Sequence, residues 1–150
     1  MSLAETLSED LKKALKSGQK EVLSVIRMIK AAVKNKEIEK GSLLSDEEIH
    51  GVLMSLARQR KESVEQFSQG GRQDLAEKET RELAVVQSYL PKQLTEEEII
   101  KTIEATIKEI GANGPGDMGK VMKFVMTKVK GYADGKLVSE LVKKAMTGSS

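Results

Sequence analysis

Two glutamates, Glu79 and Glu82, have the spacing in this sequence that is best suited to chemistry. Residues three apart share one face of a helix, so their carboxylates lie side by side. Such a pair can perform general acid–base catalysis or bind a metal ion. Helical carboxylate metal sites usually include histidine, and the chain contains one histidine, His50. The pair is therefore either a carboxylate site or part of a structural ion pair.

Arg60 favours the structural interpretation. It interrupts the apolar stripe of the helix that precedes Gly70-Gly71, and this glycine pair predicts a hairpin turn. Reflection of Arg60 across the turn places it opposite residue 81. Charged side chains are tolerated in apolar surroundings only when they are paired. We therefore expect Arg60 to form a structural ion pair with Glu79 or Glu82.

The other residue types offer no catalytic arrangement. The sequence has no cysteine, so it has neither a thiol nucleophile nor a thiolate metal site. A Ser-His-Asp triad would depend entirely on His50. No phosphate-binding loop and no GxGxxG motif is present. We therefore predict no catalytic residues, no metal site and no cofactor.

The segment 117–138 is chemically distinctive because almost all of its charge is lysine. On a helical wheel its methionines and valines form an apolar stripe, whereas Phe124 lies outside the stripe among lysines. Lysines neutralise phosphates, and an aromatic ring among them can stack on a base. Alternatively, Phe124 packs under the next helix or against the other domain. The predicted RNA-binding residues are Lys120, Lys123, Phe124, Lys128, Lys136, Lys143 and Lys144.

Two aspartates precede the last two predicted helices. Asp117 and Asp134 are expected to cap these helices, each accepting a hydrogen bond from a backbone amide. A carboxylate at that position opposes an incoming phosphate. We therefore expect lysine side chains, rather than helix N-termini, to bind any phosphate.

The charge is unevenly distributed along the chain. Residues 1–94 have a net charge of +1, residues 95–110 have −3, and residues 111–150 carry seven lysines against three acidic residues. A basic end beside an acidic helix predicts an anionic partner for the basic end. The alternative is a solvated lysine face with no such partner.

Apolar residues recur with helical period in every long segment, and no segment of useful length alternates with period two. Helix ends are marked by Gly18, Gly41, Gly70-Gly71 and Pro91, and capping boxes begin at Ser45 and Thr95. The prediction is an all-α protein. A larger N-terminal four-helix domain spans residues 1–90, a linker spans 91–94, and a small C-terminal three-helix domain spans 95–150.

The composition is that of a soluble helical protein, with 32% charged and 39% hydrophobic residues. No apolar run approaches the ~20 residues that a membrane span needs. The acidic, periodic start of the chain differs from a signal peptide. We therefore expect a cytoplasmic protein with no membrane partner.

Several motifs spread over nearly the whole chain carry a family resemblance. They are Ser24-Val-Ile-Arg-Met-Ile-Lys-Ala31, Arg60-Lys-Glu-Ser63, Gly71-Arg-Gln-Asp-Leu-Ala76 with Glu79 and Glu82, Tyr89-Leu-Pro91, Asp117-Met-Gly-Lys-Val-Met122, Gly131 and Asp134-Gly-Lys136. Together these motifs resemble the GatB/YqeY family, and most closely its free-standing YqeY proteins. The resemblance implies an all-helical fold with a larger bundle and a small three-helix domain.

The resemblance also bears on function. In the tRNA-dependent amidotransferase subunit GatB, a similar module forms the C-terminal part and helps to hold tRNA. The catalytic portion and the glutaminase partner lie elsewhere. The resemblance therefore implies two kinds of partner: tRNA or another structured RNA, and an amidotransferase or translation-related protein. The resemblance implies carbon–nitrogen ligase activity for the whole assembly rather than for this module alone.

Three functions remain open from the sequence. The first is an RNA-binding accessory module that acts through the basic C-terminal domain. The second is a protein-interaction adaptor with no nucleic-acid ligand, whose lysine face binds an acidic partner. The third is an enzyme domain that completes an amidotransferase.

Overall fold

A computed structural model of the protein describes residues 1–148, which form seven α-helices and no strands. The prediction of an all-α fold is confirmed. The helices are α1 (Leu3–Ser17), α2 (Lys20–Lys40), α3 (Asp46–Gln69), α4 (Gln73–Gln87), α5 (Glu96–Ile110), α6 (Met118–Val129) and α7 (Gly135–Thr147), with a 3₁₀ turn at Pro115–Asp117. The chain divides into two compact units, Met1–Pro91 and the residues from Lys92 onward.

The helix ends of the first unit follow from local sequence. Helix α1 ends at Gly18 with φ of 67°, and α2 ends at Gly41 with φ of 81°. Both values lie in the left-handed region that glycine adopts without steric cost. Helix α3 begins at a complete capping box. The Ser45 side chain accepts a hydrogen bond from the backbone amide of Glu48, and the Glu48 side chain accepts one from the backbone amide of Ser45. These predicted ends are confirmed.

Apolar residues from α1 to α4 form the core of the first unit. Helices α3 and α4 form a hairpin around Gly70 and Gly71, in which the amide of Arg72 donates to the carbonyl of Phe67 at 2.8 Å. This hairpin fixes the register between the two helices. The core residues are Leu7, Val25, Ile26, Ile29, Val33, Ile49, Leu53, Leu56, Ala57 and Val86.

Within residues 1–148, the core of the second unit is formed by α5, α6 and α7 and contains no aromatic ring. Val121, Val125 and Val129 of α6 are buried in it, and the α6 methionines pack against it, as the predicted stripe requires. The remaining core residues are Ile99, Ile103, Ala133, Val138, Leu141, Val142 and Met146. Helix α5 begins at the predicted capping box of Thr95 and Glu98.

Asp117 and Asp134 occupy the predicted N-cap positions of α6 and α7, but neither side chain makes the predicted capping hydrogen bond. Asp117 lies in the 3₁₀ turn, and its Oδ2 accepts a hydrogen bond from the amide of Asn113 at 2.8 Å, upstream of α6. Pro115 starts the turn early, so Asp117 has φ of −97° and ψ of 4° rather than the extended backbone of a cap. Asp134 stands at the N-cap of α7, but its side chain makes no capping hydrogen bond.

Two residues of the predicted linker are fixed within the second unit. The amide of Leu94 donates to the carbonyl of Tyr132 at 2.7 Å, and Gln93 Nε2 donates to the carbonyl of Gly131 at 3.2 Å. Leu94 also packs against the core of this unit. Gln93 and Leu94 of the predicted linker are therefore held by the α6–α7 turn. In the part of the chain that the structure describes, none of the helices combines the length and the hydrophobicity of a membrane span.

Candidate nucleic-acid interface and ion-pair cluster

Phe124 stands on the outer side of α6. Its side chain is 43% exposed, and it is absent from the buried core of the second unit. Lys120 lies one turn before it and Lys123 directly precedes it, and both lysines are exposed. Neither lysine takes part in an ion pair within residues 1–148. The structure therefore brings an accessible ring and two available cations together on one stretch of helix.

Lys128 differs from these lysines because it is engaged within the protein. Its Nζ donates to Glu109 Oε2 at 2.7 Å and to Thr106 Oγ1 at 2.9 Å, both on α5. The Thr106 hydroxyl is buried and donates to the carbonyl of Thr102. Lys128 thus joins α6 to α5, and its charge is already partly compensated. The register between these two helices cannot be read from the sequence, so the partner of Lys128 was not predicted.

The three predicted lysines of α7 do not form one cluster. Lys136 lies in the first turn, whereas Lys143 and Lys144 lie near the end. At 1.5 Å per residue this separation is roughly 10–12 Å along the helix axis. All three are exposed. The predicted seven residues therefore divide into a group on the first half of α6, the paired Lys128, and the two ends of α7.

Tyr132 is an exposed aromatic residue that the sequence-based prediction did not include. Its side chain is 50% exposed, in the turn between α6 and α7. Its amide donates to the carbonyl of Val129 at 2.9 Å, and its carbonyl accepts from Leu94. The available signal was that Tyr132 and Phe124 are the only aromatic residues after residue 91.

The structure also brings Arg60, Glu79 and Glu82 together. Arg60 Nε lies 3.8 Å from Glu79 Oε2 and 3.6 Å from Glu82 Oε2, and the three side chains are 14–20% exposed. An Arg60 terminal nitrogen also contacts the sulfur of Met28. The α3–α4 hairpin thus places one guanidinium between two carboxylates, largely shielded from water.

Hydrogen bonding in this cluster is incomplete. Arg60 Nε and Glu79 Oε2 are both buried and have no hydrogen-bond partner. The attraction between these charges therefore rests on proximity rather than on aligned hydrogen bonds. Within residues 1–148 no group of three His, Cys, Asp or Glu residues has the arrangement to hold a metal ion.

Known proteins similar to this chain carry a mitochondrial name. The protein "altered inheritance of mitochondria protein 41, mitochondrial" of Pyrenophora tritici-repentis is 30% identical over 143 residues, which cover 93% of this chain and 78% of that protein. The protein of the same name in Eremothecium gossypii is 36% identical over 85 residues, covering 56% of this chain and 46% of the relative. The protein of that name in Clavispora lusitaniae is 33% identical over 114 residues, covering 75% and 66%.

These relatives contradict the expectation of a cytoplasmic protein, because their names place them in mitochondria. The expectation rested on composition, on the lack of a long apolar run and on a start unlike a signal peptide, and none of these properties distinguishes the cytoplasm from the interior of an organelle. The match spans less than half the length of the Eremothecium relative.

The family comparison covers more of the chain. The family described as YqeY-like protein matches residues 4–146, which include every helix from α2 to α6 and nearly all of α1 and α7. The matched region contains the ion-pair cluster, the lysines of α6 and α7, and the two exposed aromatic residues Phe124 and Tyr132. The chain therefore belongs to the YqeY-like protein family.

Proposed function

We propose that this protein is an accessory module that binds tRNA or another structured RNA through the exposed side of α6 and the ends of α7. The observation that carries the proposal is the exposure of Phe124 beside Lys120 and Lys123. Lysines supply affinity for phosphates, and an accessible ring supplies contact with a base or a sugar. A solvated lysine face gives no reason for a phenyl ring to stand among the charges.

The charge distribution of the second unit favours an approach from one side. Residues 95–110, which form α5 and its N-cap, carry a net charge of −3, whereas residues 111–150 carry +4. A polyanion is repelled by the first surface and attracted by the second. RNA is therefore steered toward α6 and α7.

The lysines have unequal roles in this proposal. Lys120 and Lys123 are the principal phosphate contacts, and Lys136, Lys143 and Lys144 extend the surface. Lys128 contributes less, because a phosphate has to compete with Glu109 for its Nζ. Two to four phosphate contacts correspond to a slope of roughly −1.5 to −3.5 in a plot of log affinity against log salt.

The proposal also places this chain beside a larger assembly. By analogy with the GatB module, it would hold RNA for an amidotransferase or a translation-related protein. The sequence predicts no catalytic residues in this chain. Carbon–nitrogen ligase activity would therefore belong to partner subunits, and this chain would contribute binding.

A charge-reversal experiment tests the proposal. The variant carrying Lys120→Glu and Lys123→Glu is compared with wild type for binding to tRNA across a salt series. A matched control carries Lys12→Glu and Lys13→Glu, which reverses two adjacent exposed lysines of α1. Double-stranded DNA serves as the control ligand.

We expect the α6 reversal to lower tRNA affinity by at least about tenfold at low salt, because each change replaces an attraction by a repulsion. The α1 reversal should have a much smaller effect. Equal tRNA affinity in wild type and in a folded α6 reversal would reject the proposal and favour the adaptor function, in which the same lysines bind an acidic protein.

A further inference from the structure

We infer that the RNA recognised by this protein presents unpaired bases, and that Tyr132 is a second stacking residue beside Phe124. This inference rests on the proposed function. It starts from the aromatic content of the second unit, where both aromatic side chains are exposed, at 43% and 50%. A small unit gains stability from each large apolar side chain that it buries. Exposure of both rings therefore forgoes a gain that folding alone would favour.

The backbone around Tyr132 is held in place. Its amide is bonded to Val129, its carbonyl accepts from Leu94 at 2.7 Å, and the carbonyl of Gly131 accepts from Gln93. Gly131 has φ of 85°, a conformation that this turn requires. A ring presented by fixed backbone loses little conformational freedom on binding. Tyr132 thus has the properties of a pre-organised contact.

Tyr132 also shares the electrostatic setting of Phe124. The bond from its amide to Val129 keeps it within one turn of the last residue of α6. Lys130 and Lys136 lie on either side of it along the chain, and both are exposed. Each aromatic ring of the second unit therefore has exposed lysines near it along the chain.

The chemistry of the two rings selects the form of RNA. In an A-form duplex the base faces are covered by their stacked neighbours, and the accessible groove presents ribose hydroxyls and base edges. The phenyl ring of Phe124 has no hydrogen-bonding group that could bind these hydroxyls and base edges. Unpaired bases in loops, bulges and ends expose the faces on which aromatic rings stack. The ligand class is therefore RNA with unpaired nucleotides rather than continuous duplex.

The experiment compares two RNAs with the full-length protein. One is a stem-loop with a large unpaired loop, and the other is the same sequence annealed to its complement as a blunt duplex. Variants Tyr132→Ala, Phe124→Ala and Tyr132→Phe are measured with both RNAs at several salt concentrations. The control Ile100→Ala removes a 38% exposed apolar side chain from α5 in the same unit.

We expect wild type to bind the stem-loop at least about tenfold more tightly than the duplex, and each alanine variant to lose roughly tenfold for the stem-loop alone. The slope against salt should stay unchanged, because stacking releases no counterions. Tyr132→Phe and Ile100→Ala should bind like wild type. Circular dichroism melting of each variant verifies that it is folded.

Three outcomes would overturn the inference. The first is equal binding of stem-loop and duplex, and the second is an unchanged stem-loop affinity in folded Tyr132→Ala. The third is a loss in Tyr132→Phe as large as in Tyr132→Ala, which would assign the contact to the hydroxyl. If the Lys120 and Lys123 reversal still weakens both RNAs, the proposed function survives these results. If that reversal has no effect, the proposed function itself fails.

Discussion

Arg60 lies between two carboxylates, Glu79 and Glu82, that are largely shielded from water. Its replacement by alanine leaves Glu79 and Glu82 side by side at 14–20% exposure. Removal of one member from a shielded ionic cluster costs about 3 kcal/mol, because the remaining charges stay desolvated. We expect Arg60→Ala to lower the free energy of unfolding of the first unit by about this amount, measured by urea denaturation.

The neighbouring exposed lysine provides the control for this prediction. Lys61→Ala should change the free energy of unfolding by less than about 0.5 kcal/mol. Addition of Glu79→Gln and Glu82→Gln to Arg60→Ala should restore part of the loss, because the stranded charges are then absent. Equal stability of the Arg60→Ala and Lys61→Ala variants would contradict the structural role of the cluster.

Ionisation of Tyr89 is expected to lower the stability of the first unit at alkaline pH. Its hydroxyl donates to Asp10 Oδ2 at 2.6 Å, and burial, together with this bond to a carboxylate, raises the pKa of Tyr89 well above its ordinary value of 10.0. A group with a raised pKa contributes its full stabilisation below its unfolded pKa and loses it as the pH rises further. We therefore expect the first unit to lose stability above about pH 10.

The second tyrosine must be removed to observe this effect cleanly. In Tyr132→Phe, Tyr89 is the sole tyrosine. Its ionisation, followed by tyrosinate absorbance, should coincide with alkaline unfolding followed by circular dichroism. Ionisation of Tyr89 in the folded protein near its ordinary pKa would contradict the expectation. Tyr89→Phe should show a weaker dependence of stability on pH in this range.

Phe124 is expected to affect binding without affecting folding. A ring in the core would cost about 3–5 kcal/mol when truncated to alanine. Since Phe124 is 43% exposed, Phe124→Ala should instead cost less than about 1 kcal/mol, measured by thermal melting. A large loss of stability would show that the ring packs in the folded protein, and it would remove the basis for stacking on RNA.

At the scale of elements, the N-terminal cap of α3 is expected to weaken at acid pH, because it depends on the ionised carboxylate of Glu48. Hydrogen bonds from Lys40 and from the backbone of Ser45 lower the pKa of Glu48 from 4.5 to about 2. A depressed pKa gives a stabilisation that is present above the unfolded pKa and lost as the pH falls through the folded one. We expect stability to decline between about pH 4.5 and pH 2, and Glu48→Gln to reduce this decline. A variant with the same acid profile as wild type would contradict this role.

Local signals explain why most element boundaries were predictable. The capping boxes at Ser45 and Thr95 and the left-handed glycines at Gly18 and Gly41 involve residues within four positions of each other. The cap assigned to Asp117 failed for a local reason, because Pro115 starts a 3₁₀ turn before α6.

The candidate site depends on how the helices pack against one another, which the sequence alone does not specify. A helical wheel places Phe124 outside the α6 stripe, but it does not show whether another helix covers that side. The pairing of Lys128 with Glu109 depends on how α6 lies against α5. Arg60 was different, since a hairpin turn links the registers of α3 and α4 and makes opposite positions countable along the chain.

At the scale of the whole molecule, the two units are joined through a short segment. The linker was predicted at residues 91–94, and the two compact units divide between Pro91 and Lys92. We expect limited trypsin digestion to cut first after Lys92 and to give two fragments by mass spectrometry. Backbone within helices resists cleavage because it must unfold locally first. Earlier cleavage within residues 20–40 would contradict this prediction.

The absence of rings from the core of the second unit has a consequence for how this sequence can vary. Phe124 and Tyr132 lie outside the hydrophobic core and are 43% and 50% exposed, so folding alone tolerates many side chains at both positions. In a library of variants, selection for folded protein should therefore accept nearly any residue there. Any narrower set of residues retained under selection in the cell would record what the protein recognises, free of the demands of its own stability.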